Sequence, residues 1–214
     1  MKNEKFFIND KEFSPKRVFI IAELGTSHGA DPVKAGELIE AAAEAGADCI
    51  KFQMVYAREI LHPNTGEVTL PGGKTRLYDR FRDLELPPSF FADMKEKVEK
   101  KGLIFLCTPF GLESAGDLRA LEPKCIKIAS PELNFTGLLR EIASYKLPIF
   151  LSTGVSRLGD IEEALETIMA PHSPLPSLSP SLRNRLPCPG NRLQSAGFAK
   201  PWGGIRCSGR GKRP

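Results

Sequence analysis

The stretch Lys127-Ile128-Ala129-Ser130-Pro131-Glu132 places a cation, a hydroxyl and a carboxylate close together in the chain. It continues a short apolar run that begins at Cys125, so the pattern predicts the end of a buried strand followed by a loop. A lysine within such a run is costly to bury unless an anion pairs with it. The stretch therefore predicts a site for a phosphate or carboxylate group. A lysine whose side chain reaches solvent from an edge strand is the alternative that this stretch alone leaves open.

Further polar side chains stand at the ends of the other predicted strands, which are the apolar runs 18–22, 48–53, 103–106 and 148–151. The carboxyl ends of parallel strands meet at one edge of a sheet or at one mouth of a barrel. We therefore expect these side chains to join Lys127, Ser130 and Glu132 in a single site. They are Glu23, Lys51, Gln53, Thr108 and Ser152.

The strands alternate with amphipathic helices, which predicts βαβ crossovers and a parallel sheet. The predicted helices lie between Asp31 as N-cap and Gly46 as terminator, then over 89–102, 112–121 and 138–143, and from a capping box at Asp160 to residue 169. An open doubly wound sheet fits this pattern too. No glycine-rich dinucleotide turn follows the first strand, however, and two inward-pointing lysines suit a barrel mouth. We predict an incomplete (β/α)8 TIM barrel with about five recognisable βα units.

Two segments depart from this alternation. Residues 6–13 read as a small hairpin that precedes the first strand of the sheet. Residues 57–88 form a polar connection that is longer than a plain βα turn needs, which indicates a lid or a binding loop.

The net charge of +4 averages over two unlike parts of the 214-residue chain. Residues 171–214 hold eight Lys/Arg, eight prolines and no Asp or Glu, which leaves 22 basic and 26 acidic residues in 1–170. We predict a globular part over residues 1–170 and a disordered or frameshifted tail over 171–214. A genuine basic tail that binds nucleic acid is the competing interpretation. We favour the first and expect no nucleic-acid partner.

Composition also indicates the cellular compartment of the protein. The apolar runs are strand-length, and the N-terminus lacks the apolar core of a signal peptide. Five cysteines without CxxC pairing argue against a disulfide frame or a zinc site. We expect a cytoplasmic protein without a membrane partner.

Five stretches together resemble the N-acetylneuraminate (sialic acid) synthase family, which includes the spore-coat polysaccharide biosynthesis proteins. The resemblance covers about residues 1–170. It implies a (β/α)8 barrel and the condensation of phosphoenolpyruvate with an N-acetylated amino sugar of the N-acetylmannosamine type. The product would be a sialic or other nonulosonic acid for surface polysaccharide. The stretches are 20–25 (IIAELG), 45–53 (AGADCIKFQ), 108–110 (TPF), 127–133 (KIASPEL) and 151–154 (LSTG).

The resemblance also implies roles for individual residues. Glu132 matches the carboxylate that manages a proton or water during catalysis, and Glu23 and Gln53 match residues that orient the sugar acceptor. The remaining matched residues hold the phosphate and carboxylate of phosphoenolpyruvate, a task suited to fixed cations and short hydroxyl donors. They are Lys51, Thr108, Lys127, Ser130 and Ser152.

The sequence departs from the family at several points. His28 lies in a loop motif that differs from the family's, so an ordinary loop histidine is at least as good an interpretation as a functional one. Pro131, next to Glu132, stands where the family has a glycine. The family's divalent ion, Mn²⁺ or Mg²⁺, is held by histidine motifs that do not occur here, so we expect no metal ligands in this chain. We expect the family's homodimer in full-length members, and a truncated, inactive product here.

Two rival functions stay open. One is another phosphoenolpyruvate-aldose synthase, of the deoxyoctulosonate or deoxyheptulosonate phosphate type, for which Lys74, Arg76 and Arg80 would bind a second phosphate. The other is a non-catalytic fragment.

Overall fold

Strands and helices alternate along the chain as the sequence predicts. The computed structural model describes residues 5–8, 10–70 and 73–170. The elements, in chain order, are β1 (Phe6–Ile8), β2 (Lys11–Phe13), β3 (Ile21–Gly25), α1 (Pro32–Glu44), β4 (Cys49–Met54), α2 (Ala57–Ile60), β5 (Glu67–Leu70), β6 (Gly73–Arg76), α3 (Leu77–Arg82), α4 (Pro88–Lys100), β7 (Ile104–Pro109), α5 (Leu112–Ala120), β8 (Ile126–Ile128), a 3₁₀ turn (Ser130–Glu132), α6 (Thr136–Ser144), β9 (Ile149–Leu151) and α7 (Leu158–Met169).

Five of these strands form one parallel sheet in the order β3-β4-β7-β8-β9. The register sets Glu23 opposite Lys51, and Gln53 opposite Thr108. The prediction of an α/β fold with a parallel sheet is therefore confirmed. Within the described residues β3 and β9 are the two end strands, and the sheet is not closed into a barrel.

Helices cover one face of this sheet. Phe52 of β4 and Phe105 of β7 stack with their ring centroids 5.7 Å apart, and both belong to the main hydrophobic core. From α4, Phe91, Met94 and Val98 pack into the same core. Burial of these large side chains supplies the main favourable free energy that holds the helices to the sheet.

The N-terminal hairpin covers part of the opposite face. The predicted hairpin is confirmed, because β1 and β2 pair antiparallel. Its Ile8 and Phe13 pack with residues at or near the start of three strands, namely Cys49, Ile104 and Cys125. Successive side chains of a strand point to alternate faces, so residues two and four positions further along lie on this same face beyond the hairpin. These residues are Lys51, Gln53, Thr108 and Lys127, whereas Leu106 still belongs to the hydrophobic cluster of the hairpin.

Helix α1 shows why local sequence and structure agree. The Asp31 carboxylate accepts hydrogen bonds from the N–H groups of Val33 at 2.8 Å and Lys34 at 3.2 Å, as predicted for its N-cap. Gly46 adopts a φ of +80°, a conformation that glycine enters at little cost, just past the helix end. Ala35 and Ile39 are buried on the inner face.

The first strand of the sheet differs from its prediction. The apolar run 18–22 predicts a fully buried strand, yet β3 begins at Ile21, and Val18 and Ile20 are 62% and 49% exposed. The physical reason is that, in the part of the chain that the structure describes, β3 ends the sheet and has β4 alone beside it. Apolar character alone does not separate an edge strand from a central one.

The connection 57–88 also differs from its prediction, because it is not a plain loop. It contains the short helices α2 and α3 and an antiparallel hairpin, β5–β6. Charged residues fill these elements, so they carry little of the hydrophobic periodicity by which secondary structure is read from sequence.

Three helices begin earlier than the sequence predicts, and α6 is one of them, since it begins at Thr136 rather than at residue 138. Helix α4 begins at Pro88 rather than Ser89, since proline is well suited to the first helical position. Helix α7 begins at Leu158, so Asp160 lies within its first turn and is not the N-cap. From there its carboxylate accepts a hydrogen bond from the Arg157 N–H at 2.7 Å.

Among the described residues, each helix is too short or too polar to cross a membrane. The predicted disordered or frameshifted tail, 171–214, lies outside the described residues.

Candidate functional site

The predicted site residues lie where the strands of the sheet end. Lys51 and Gln53 are in β4, Thr108 is in β7 and Lys127 is in β8. Glu23, in β3, sits opposite Lys51 in the register. The remaining three residues, Ser130, Glu132 and Ser152, follow the ends of β8 and β9.

Lys127 is half-buried and binds across to the neighbouring strand end. Its Nζ donates hydrogen bonds to the Ser152 Oγ and to the Ile128 carbonyl. Burial, and then the positive charge of Lys51, lower the pKa of Lys127 to about 8. The ammonium is therefore held, by neutral oxygens, in a place where a bound anion would stabilise it.

Ser130 joins the same pair of strand ends. Its Oγ accepts a hydrogen bond from the Gly154 N–H at 2.9 Å. The loops after β8 and β9 are thereby linked twice, through Lys127 with Ser152 and through Ser130 with Gly154. Sequence reasoning did not identify Gly154 as a hydrogen-bond donor in this site, although Gly154 belongs to the LSTG stretch. The reason is that a backbone N–H donor cannot be recognised from the residue type.

Glu132 ends the 3₁₀ turn and points into a buried environment. Within the described part of the chain, its Oε2 is buried without a hydrogen-bond partner. Burial raises the pKa of Glu132 to about 7, against the opposing influence of its own backbone N–H and of the Lys127 charge. A carboxyl group that titrates near neutrality is suited to general acid–base chemistry.

Glu23 and Lys51 form an ion pair between adjacent strands. The Lys51 side chain is only 15% exposed, whereas that of Glu23 is 38% exposed. Gly25 lies against this pair with a φ of +53°, and a Cβ there would stand 3.1 Å from Glu23 Oε1 and 3.5 Å from Gln53 Oε1. Glycine at this position thus lets the Glu23 and Gln53 side chains come together.

Thr108 is 1% exposed, and its Oγ1 finds no hydrogen-bond partner among the described residues. A buried hydroxyl without a partner costs free energy, so such a group in a native site calls for a ligand or an ordered water. Thr108 neighbours Gln53 across the β4–β7 pairing.

His28 is not brought into this group. It is 2% exposed and packs against the rings of Phe52 and Phe90, with centroids 5.9 and 5.0 Å away. Its Nδ1 accepts a hydrogen bond from the Ala30 N–H at 3.2 Å, and burial lowers its pKa. These contacts favour the interpretation of a packed loop histidine, although its Nε2 is, like Thr108 Oγ1, buried without a hydrogen-bond partner among the described residues.

The described residues do not by themselves fit the divalent ion that the resemblance implies. In residues 5–8, 10–70 and 73–170, no group of three or more His, Cys, Asp or Glu side chains is arranged to hold a metal ion.

The side chains at the strand ends range from the buried Thr108 to the part-exposed Glu23. A concavity of about 380 Å³ lies beside the site rather than at it, bounded by α2, by the start of α4 and by α5. Its polar lining residues are Tyr56, Arg58, Glu85, Glu113 and Asp117.

Comparison with known proteins supports the family that the motifs predict. A family model described as the NeuB family matches residues 38–181, and so ends beyond the 170 residues that the motifs cover. The spore coat polysaccharide biosynthesis protein SpsE of Bacillus subtilis is 36% identical over 154 residues, which are 72% of this chain and 41% of that protein. The N,N'-diacetyllegionaminic acid synthase of Campylobacter jejuni is 36% identical over 158 residues, which are 72% of this chain and 47% of that protein.

Among solved structures, the N-acetylneuraminic acid (sialic acid) synthetase of Leptospira borgpetersenii matches with a TM-score of 0.69 and 28% identity. The match covers 78% of this chain and 55% of that one. The chain spans less than half the length of the two curated relatives described above.

Proposed function

The chain belongs to the NeuB family, and from that premise we propose that its strand ends bind phosphoenolpyruvate in a synthase that makes a sialic or other nonulosonic acid. The observation that carries this proposal is the set of two partly buried lysines, three hydroxyls and one largely buried carboxyl group at the carboxyl ends of the parallel strands. Phosphoenolpyruvate carries a phosphate and a carboxylate on a small three-carbon frame. Two fixed cations with hydroxyl donors between them match that charge distribution.

Each residue has a distinct part in this proposal. Lys127 and Ser152, already hydrogen-bonded to each other, would bind one anionic group together. The Thr108 hydroxyl, buried and unpartnered among the described residues, would donate to another anionic oxygen. Lys51 is paired with Glu23, so an anion must compete with that carboxylate for its ammonium group.

Glu132 would manage the proton of the water that takes part in the reaction. The C3 carbon of phosphoenolpyruvate bonds to the aldehyde carbon of the sugar, whose oxygen becomes a hydroxyl by taking a proton. Water adds to the cationic C2 carbon and loses a proton, and phosphate then leaves from C2 to give the 2-keto acid. A carboxyl group with a pKa of about 7 can accept the water's proton near neutral pH.

Glu23 and Gln53 are proposed to face the amino sugar, because they lie together around Gly25 at the rim of the site. We further propose that the five parallel strands are five βα units of a (β/α)8 barrel. The match to more than half of a sialic acid synthetase structure supports this, as does the hairpin that covers only the starts of the strands. The divalent ion, the homodimer and the inactivity of this chain on its own stay predictions.

The rival assignment to a synthase of phosphorylated sugars has less support. Of its predicted basic residues, Arg76 donates a hydrogen bond to the Pro63 carbonyl at 2.7 Å and pairs with Asp79 at 3.6 Å. Arg76 is therefore already engaged near its own hairpin.

Calorimetric titration of the full chain with phosphoenolpyruvate, inorganic phosphate and pyruvate tests the proposal. Phosphate and pyruvate each carry only one of the two anionic groups. We expect phosphoenolpyruvate to bind at least about tenfold more tightly than either, since it makes both sets of contacts. Equal affinity for phosphate and phosphoenolpyruvate would reduce the site to a general anion site and contradict the proposal.

A further inference from the structure

Helix α5 lacks an N-cap side chain, and Glu59 of α2 supplies the missing hydrogen-bond acceptors. The N-cap position is Gly111, which has no side chain. The Glu59 Oε1 accepts hydrogen bonds from the N–H groups of Glu113 at 2.7 Å and Ser114 at 3.3 Å. Its Oε2 lies 3.2 Å from the Ser114 nitrogen. Since the first N–H groups of a helix have no partners within the helix, this carboxylate acts as a cap provided by another element.

Gly111 and Glu59 fit each other sterically. A Cβ at Gly111 would stand 2.4 Å from the Glu59 carboxyl carbon, too close for any side chain. The φ of Gly111 is −157°, which is ordinary extended backbone. Glycine is therefore needed at this position to leave room for the Glu59 carboxylate, and not for its backbone conformation.

The surrounding contacts bind α2 firmly to α5. The Tyr56 hydroxyl donates a hydrogen bond to Asp117 Oδ2 at 2.6 Å, and Arg58 forms an ion pair with Glu113. Burial raises the pKa of Glu59, but the hydrogen bonds from Ser114 and Glu113 oppose that shift and favour the ionised carboxylate. Glu59 is half-buried, between the buried Tyr56 and Ser114 on one side and the exposed Arg58–Glu113 pair on the other.

This contact joins the two helices that follow neighbouring strands of the candidate site. Helix α2 follows β4, which carries Lys51 and Gln53, and α5 follows β7, which carries Thr108. Beyond the last paired residues, Met54 and Pro109, the sheet no longer holds these two segments in register. Glu59 joins them again a few residues later, past the strand ends.

We propose that Glu59 is a positioning residue: by tying the segment after β4 to the segment after β7 it keeps the last pairs of the two strands, Gln53 with Thr108 and Met54 with Pro109, from separating, and so holds the Thr108 hydroxyl in place beside Gln53. This inference rests on the proposed phosphoenolpyruvate site. It assigns to Glu59 a part in ligand binding that no contact with the ligand would reveal.

A local cap that replaces Glu59 separates positioning from plain helix capping. Glu59→Ala should lower the thermal midpoint and weaken phosphoenolpyruvate binding by about tenfold. Adding Gly111→Ser to Glu59→Ala provides a serine N-cap in the space that the glutamate leaves, on backbone that is already extended. We expect this double variant to regain thermal stability without regaining affinity, because α5 is capped again but is no longer tied to α2. Recovery of both properties together would overturn the proposal.

Titrations in the Thr108→Val background locate the effect. Glu59→Gln, which keeps the shape and removes the charge, should weaken phosphoenolpyruvate binding in the wild-type chain and add little when Thr108 is already valine. If Glu59→Gln weakens phosphoenolpyruvate binding as much in the Thr108→Val chain as in the wild-type chain, the proposal is also overturned. Glu96→Ala, which removes an exposed carboxylate paired with Lys100 on α4, serves as the control and should leave binding unchanged. If Thr108→Val itself has no effect, the assignment of Thr108 to the phosphoenolpyruvate site fails, and with it the reason for placing Glu59.

Discussion

At the scale of single residues, the candidate site combines a lysine and a carboxyl group in surroundings that disfavour their charged forms. Burial is the first cause for both, and it brings the pKa of Lys127 to about 8 and that of Glu132 to about 7. Both groups therefore change charge close to neutral pH, where an exposed lysine or glutamate would not. This is the behaviour expected of residues that transfer protons or bind an anionic ligand.

The Lys127 pKa predicts a pH dependence of ligand affinity. As pH rises through about 8, the free chain loses the Lys127 charge, and phosphoenolpyruvate binding should weaken. Lys127→Arg keeps its charge throughout this range, so any binding that it retains should stay level between about pH 7 and pH 9. Calorimetric titrations of both chains across this range measure the difference. Parallel curves for the two chains would show that Lys127 does not carry the dependence.

The Glu132 pKa predicts a stability change. Because its folded pKa lies above that of an unfolded glutamate, the unfolded state ionises first, and stability is lost as pH rises from about 4.5 to about 7. Glu132→Gln removes this loss and should raise the free energy of unfolding at pH 8 by about 1–3 kcal/mol. Urea unfolding at pH 8 and pH 4 tests it, since the gain should vanish at pH 4. A gain of equal size at both pH values would mean that the effect is not electrostatic.

At the scale of elements, the sequence predicted best where one residue type has one dominant local effect. Asp31 and Gly46 bound α1 because a carboxylate caps a helix start and glycine accepts a positive φ at little cost. The sequence predicted poorly where tertiary surroundings decide, as at β3: this strand lies at the end of the described sheet and begins only at Ile21, and the preceding Val18 is exposed. The carboxylate of Glu59 capping a helix more than 50 residues later had no local signal at all.

The Asp31 cap gives a prediction at this scale. Asp31→Ala removes the acceptor for two helix N–H groups and should lower the free energy of unfolding by about 0.5–2 kcal/mol. Asp93→Ala is the matched control, because Asp93 is an exposed carboxylate on α4 for which a change within about 0.5 kcal/mol is expected. Urea unfolding of the two variants compares them. Equal losses would show that the capping bonds contribute no more than an ordinary surface charge.

At the scale of the whole molecule, the hairpin and the strand ends divide the sheet by function. The hairpin side chains Ile8 and Phe13 bury the starts of the strands on the face opposite the helices. On the same face, Lys51, Thr108 and Lys127 lie further along the strands, beyond that apolar cover. Their positions at the ends of predicted parallel strands predicted that these residues share one site. Their links to Glu23, Ser152 and Gly154 depend on which strands become neighbours, and so required the structure.

The central claim is that Lys51 and Lys127 jointly bind the anionic groups of phosphoenolpyruvate. The most direct measurement is calorimetric titration of the full chain and of the single variants Lys51→Ala, Lys127→Ala and Lys124→Ala. Lys124 is an exposed lysine just before β8, at the opposite end of that strand from the site, and serves as the matched control. The account predicts that each of the first two variants loses about 2–5 kcal/mol of binding free energy, the scale for unpairing a partly buried charge, while the control keeps its affinity. Unchanged affinity in both Lys51→Ala and Lys127→Ala would contradict it.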